Sequence, residues 1–164
     1  MSFDDVFRIM DESFPDNEMR SYHDQKKLLQ NKRYQIYKEY DKTGDLIGFL
    51  AYWVLDNCVF FEHLAVQEQY RSHGLGKKIL LKNLENIDVP VFLEVELPKN
   101  DMAKRRISFY ERLGFKLNDF FYEQPSLREN EKPQQLLIMS YPEAFLEDAF
   151  EKFKKEIYTN VYNN

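Results

Sequence analysis

The chain has one cysteine, Cys58, and three histidines, so no internal disulfide can form and no Cys/His spacing resembles a zinc site. Long apolar runs are missing too. No stretch approaches the ~20 residues of a membrane-spanning helix, and the amino terminus, Met1-Ser2-Phe3-Asp4-Asp5, is acidic where a signal peptide is basic. Positive charge is in deficit, with 23 Lys and Arg against 28 Asp and Glu and a formal net charge of -5. Nonspecific binding to nucleic acid rests on clustered cations, so that class is disfavoured, while an acidic surface attracts cationic ligands. No internal repeat, low-complexity segment or linker divides the chain. The expectation is a soluble cytoplasmic protein that engages neither nucleic acid nor membrane and holds no metal.

What is present is a core. Hydrophobic residues make up 43% of 164, with 14 Phe and 11 Tyr, enough to bury one full interior. A single domain over 1–164 is expected, with its core at about 1–141. Phe3, Val6, Phe7, Met10 and Phe14 recur at helical spacing until Pro15, and a polar stretch with a short helix follows. Tyr34 to Tyr40 and Leu46 to Leu55 form a hairpin around Asp41-Lys42-Thr43-Gly44-Asp45, and Val59 to Val66 is a third strand. Leu75, Ile79, Leu80, Leu84 and Ile87 make one helical stripe, Val91 to Leu97 reads as a strand, and 102–113 as a helix stopped by Gly114. Strands at about 116–124 and 135–141 precede a last helix, about 143–159, opened by Pro142 and carrying Phe145, Ala149, Phe153 and Ile157. This order predicts an α+β fold around one mixed sheet with a βαβ crossover. The last helix must cover its aromatic stripe either on its own sheet or in a homodimer.

The segment Arg71-Ser72-His73-Gly74-Leu75-Gly76-Lys77-Lys78 sits where a strand ends and a helix begins. Unpaired amides and the positive end of the macrodipole make such a place favourable for an anion, and glycines let a phosphate approach the backbone. A tight turn alone is the other reading of Gly74 and Gly76. A Walker A loop needs glycine where Arg71 stands and Ser or Thr where Lys78 stands, and the dinucleotide fingerprint needs glycine at Ile79, so neither fits.

Arg71-Ser72-His73-Gly74-Leu75-Gly76 resembles the Arg/Gln-x-x-Gly-x-Gly/Ala signature of the GNAT N-acetyltransferases. Phe61-Glu62-His63-Leu64-Ala65-Val66 upstream resembles that family's fourth strand, and Ile107 to Phe115 downstream its second motif. The resemblance implies a mostly antiparallel sheet of six to seven strands flanked by helices, with the helix after residue 141 as an addition. It implies acetyl-CoA as cofactor, with the pyrophosphate on the backbone of Arg71, Ser72, His73, Gly74, Leu75, Gly76 and Lys77, and the pantetheine arm along Leu64, Ala65 and Val66. The asparagine that the family often places seven residues before its tyrosine is Ala103 here, and Asn100 is a possible substitute.

Direct transfer of an acetyl group to an amine requires a base, because an alkylamine is largely protonated at pH 7. Strict alternation puts Phe60, Glu62, Leu64 and Val66 on one face, so Glu62 is the candidate base, its pKa expected to rise with burial; a solvent-exposed or Lys-paired glutamate is the other reading. The same alternation sends His63 to the opposite face with Phe61 and Ala65, to pack. Tyr110, at the place of the family's tyrosine, is the candidate acid for the leaving thiolate, or else a core aromatic. Glu94 and Glu96 either draw a cationic amine into an acceptor cleft or sit on a solvated face. Glu18 and Arg20 lie where the family shapes its acceptor pocket, though surface charge is the plainer reading, and Cys58 has no evident base. The acceptor is a small-molecule amine or a protein amino group. The alternative to an enzyme is a noncatalytic acyl-CoA-binding sensor.

Overall fold

The computed structural model describes residues 2–162. Met1, in the acidic amino terminus, and Asn163 and Asn164, at the end of the expected domain, lie outside the described residues. Helix α1 (Phe3–Ser13) leads through a short 3-10 turn (Asp16–Glu18) to α2 (Tyr22–Lys27), capped by the Ser21 hydroxyl accepting from the Asp24 amide. Strands β1 (Tyr34–Tyr40), β2 (Leu46–Val54) and β3 (Val59–Val66) form an antiparallel meander. A βαβ crossover through α3 (Leu75–Leu84) brings β4 (Val91–Val95) parallel to β3. Helix α4 (Asp101–Arg112), β5 (Lys116–Gln124), β6 (Gln134–Tyr141) and α5 (Glu147–Ile157) complete the chain, and a π-helical turn (Tyr158–Tyr162) follows. The sheet order is β1-β2-β3-β4-β6-β5, antiparallel everywhere except β3–β4. This is the expected α+β, mostly antiparallel architecture with six strands among the described residues.

Two cores sandwich the sheet. Phe49, Trp53, Phe60 and Phe92 pack against α1 and α5 on one face, while Leu50, Phe61, Leu93 and Met139 pack against α3 and α4 on the other. Helix α5 departs from its expected bounds. The Tyr141–Pro142 peptide is cis, residues 142–146 are not helical, and Leu146 is the N-cap of a helix starting at Glu147. Its stripe is covered within the chain: Phe153 stacks on Phe92 at 3.9 Å and Phe150 on Phe120 at 4.8 Å. It therefore needs no second copy to cover it.

One irregularity repositions the site. Across β2–β3, Ala51 pairs with His63 but Tyr52 pairs with Phe61, so Glu62 is an extra residue, a β-bulge. Alternation breaks there: Phe60 and Glu62 face α1 and α5, whereas Leu64 and Val66 face α3. The expected common face of Phe60, Glu62, Leu64 and Val66 does not exist, and His63 shares the side of Glu62. Among the described residues no helix is long and apolar enough to cross a membrane.

Candidate functional site

The cleft arises where β3 and β4 fork. Their parallel pairing ends at Phe61 and Leu93, and beyond it β4 offers the β3 backbone no partner. A cavity of about 490 Å³ opens in the fork, lined by Glu62 to Val66 from β3, Glu94 to Glu96 from the other arm, Arg71, and Tyr110 of α4. The expected residues Glu62, Leu64, Ala65, Val66, Arg71 and Tyr110 are thus brought to one cavity. Ser72, His73, Gly74, Leu75, Gly76 and Lys77 are not part of its wall, but they adjoin it: a Cβ on Gly76 would lie 4.0 Å from Leu64 and from Val66.

Gly74 caps α3 with φ +77, a left-handed conformation that favours glycine, and a Cβ there would meet nothing within 4 Å. The first amides of a ten-residue helix therefore emerge at an open place beside the cleft. Arg71 does not swing free: its Nε donates to the Val66 carbonyl at 3.0 Å and its Nη2 to the Ser13 hydroxyl at 3.2 Å. Asn100 is committed elsewhere, as the N-cap of α4, its Oδ1 accepting from the Ala103 amide at 2.8 Å.

Glu62 is buried in an ion pair that the sequence did not announce. Arg20 Nη1 lies 3.1 Å from Oε2 and 3.2 Å from Oε1, the Trp53 indole donates to Oε1 at 2.9 Å, and the Arg20 and Glu62 side chains are 7% and 2% exposed. Burial alone raises this carboxyl's pKa, but the Arg20 guanidinium, aided by the Trp53 N–H, outweighs it and holds the value below the ordinary range. The expected rise is reversed, and Arg20 is a core residue and not surface charge. His63 Nε2 donates to the Glu18 carbonyl at 2.8 Å, leaving Nδ1 a buried acceptor without a hydrogen-bond partner, 4.0 Å from Glu62. Burial, with Arg20 nearby, lowers its pKa and keeps the ring neutral.

The remaining carboxyls behave differently. Glu94 has its pKa pushed up to about 7 by burial and by the charge of Glu62, against the pull of three donors from Tyr122, Tyr162 and Gln124. Glu18 is also raised to about 7, by burial and then by Glu96 beside it. Arg106 stands 3.8 Å from Glu96. Burial pushes up the Tyr110 phenol, keeping its proton on oxygen. Burial and the Glu156 carboxylate, 3.8 Å from Sγ, push the Cys58 thiol up, so it is unfit as a nucleophile. Sequence reading missed the donors around Glu94. The signal was present in Tyr122 and Gln124, two apart on one strand and so on one face.

Comparison with known proteins agrees with this geometry. The profile of the Acetyltransferase (GNAT) family matches residues 3–115. No curated protein matches significantly. Among solved structures, a Bacteroides thetaiotaomicron protein assigned as a GNAT-family acetyltransferase is 30% identical with a TM-score of 0.89, over 100% of this chain and 97% of its own. The ribosomal-protein-S18-alanine N-acetyltransferase of Escherichia coli is 22% identical with a TM-score of 0.62, over 89% of this chain and 90% of its own. An aminoglycoside 6′-N-acetyltransferase in complex with coenzyme A shares the fold at 14% identity and a TM-score of 0.59, over 84% of this chain and 88% of its own.

Proposed function

The chain belongs to the GNAT family of acetyltransferases, which use acetyl-CoA, and from that premise we propose that it moves the acetyl group directly onto a cationic primary amine held in the forked cleft. The observation that carries this reading is the fork itself. A β3 edge left unpaired past Phe61, beside the open amino terminus of α3, offers an extended backbone for amide groups and bare N–H donors for a diphosphate. These residues fit the cofactor: Leu64, Ala65 and Val66 along the arm, and the turn from Arg71 to Lys77 around the phosphates. When bound there, acetyl-CoA supplies the thioester that the amine attacks.

The chain's own residues then have two tasks. Tyr110, protonated and on the cleft wall, donates its proton to the departing sulfur. Carboxyls accept the proton that the ammonium must lose. Glu62, which the family resemblance brings to this role, is enclosed by Arg20 and Trp53 and serves only through a relay. Glu18, Glu94 and Glu96 give the cleft the negative character that favours a cation.

A thiol-release assay over alkylamines, diamines, amino acids and peptide amino termini tests the reading. Turnover with at least one amine is expected, and Tyr110→Phe lowers kcat on the order of ten- to a thousandfold. Binding of acetyl-CoA without release against the whole panel identifies a noncatalytic sensor instead, and full turnover in Tyr110→Phe removes the acid assignment.

A further inference from the structure

Glu94 is the first residue of β4 past the fork, since pairing with β3 stops at Leu93, and it lines the cavity. Its carboxylate is held as few surface groups are. Tyr122 donates to Oε2 at 2.5 Å, Gln124 Nε2 to Oε1 at 2.9 Å, and the Tyr162 hydroxyl lies 2.8 Å from Oε1 and 2.7 Å from Oε2. A carboxylate has about four acceptor positions. Three donors fix its orientation and leave one position for a fourth. Two donors come from β5 and one from the π-helical turn after α5, a segment beyond the residues matched to the family. The same turn supplies the Val161 carbonyl to Arg20 at 3.5 Å, so it braces both Glu62 and Glu94. Glu62, in contrast, is ion-paired to Arg20 and bonded by Trp53 through Oε1, and its Oε2, though it accepts no hydrogen bond, is buried away from an amine.

We propose that Glu94 is the catalytic base that takes the proton from the acceptor ammonium, and that the carboxy-terminal turn, through Tyr162, is its positioning element. This rests on the transferase reading above. In the step, a nitrogen–hydrogen bond breaks with its electron pair left on nitrogen, and an oxygen–hydrogen bond forms on Glu94, which later releases the proton to solvent. The freed pair makes the bond to the acetyl carbon. As the carbon–sulfur bond breaks, its pair leaves on sulfur, which takes the Tyr110 proton, and the second proton shed by nitrogen restores the tyrosine. The net reaction converts ammonium and thioester to amide, thiol and one proton. A base titrating near 7 is matched to this task. The charged and titratable groups that bear on it are Glu62 of β3, Tyr122 of β5, Tyr158 and Tyr162 of the last turn, and Glu18 between the first two helices.

The test joins a pH–rate profile to a direct titration. With acetyl-CoA and a panel of benzylamine, 1,5-diaminopentane and a tripeptide amino terminus, the wild type is expected to show kcat/KM rising with pH through about 7, where Glu94 ionises. Glu94→Gln lowers kcat on the order of ten- to a thousandfold and abolishes that limb. Tyr162→Phe removes a donor to the charged form and so moves the limb to higher pH; a merely structural tyrosine would not move it. Carboxyl-carbon NMR of the full chain shows two glutamates titrating near 7, Glu94 and Glu18, and only one of them remains in Glu94→Gln. A Glu94 signal titrating in the ordinary carboxylate range, an unmoved limb in Tyr162→Phe, or turnover in Glu94→Gln equal to wild type each overturns the proposal alone. Wild type that turns over no amine overturns the transferase reading and this role with it.

Discussion

Arg20 and Glu62 stand 42 positions apart in sequence, yet they form the most enclosed ion pair among the described residues. Removing one partner of such a pair leaves an uncompensated buried charge, which costs about 3–5 kcal/mol. Arg20→Met is therefore expected to lose stability of that size at pH 7 in denaturant unfolding. The sign with pH follows from Glu62, whose folded pKa is depressed in the wild type. Its contribution is present above the unfolded value of about 4.3 and fades as pH falls through the folded one. In Arg20→Met burial is opposed by the Trp53 N–H but no longer by the guanidinium, the Glu62 pKa rises and the carboxyl takes up a proton more readily, so the deficit shrinks on acidification. An equal deficit at pH 7 and pH 4 would show that the ion pair does not act electrostatically.

Among the elements, the amino terminus of α3 carries the cofactor reading. Gly74→Ala meets open space, so its cost is backbone strain of roughly 1–2 kcal/mol. Gly44, at φ +91 in the β1–β2 turn, is the control. Both alanine variants should lose similar stability, but only Gly74→Ala should weaken coenzyme A binding, by several-fold in a calorimetric titration, because it re-aims the first amides of the helix. Equal affinity in the two variants would remove the phosphate site from this turn. Periodicity made the elements legible: β3 runs from Val59 to Val66 as alternation and turn residues indicate, and α3 follows the stripe from Leu75 to Leu84. The bulge at Glu62 was not legible, since an inserted residue leaves no mark in a run that is apolar on both faces. Pro142 misled because proline favours the first turn of a helix, while here it sits in a cis peptide before an extended segment. Long-range contacts such as Tyr162 to Glu94 lie beyond any periodic signal.

At the scale of the whole molecule, two cores clamp a sheet whose centre is pried open. Phe92 and Phe153 pack β4 against α5 on one face, and Leu93 and Met139 belong to the core on the other, so the fork past Leu93 is framed on both faces while its facing edges stay unpaired. The acidic groups in the cleft are costly to folding and gather around the cavity, a pattern that marks a functional site. The account depends on that fork taking up the cofactor. Calorimetric titration of the full chain with coenzyme A tests this most directly: saturable heat at one site per chain is expected, with a dissociation constant between about 1 μM and 1 mM. No heat at millimolar coenzyme A, from a protein shown by unfolding to be folded, would contradict it.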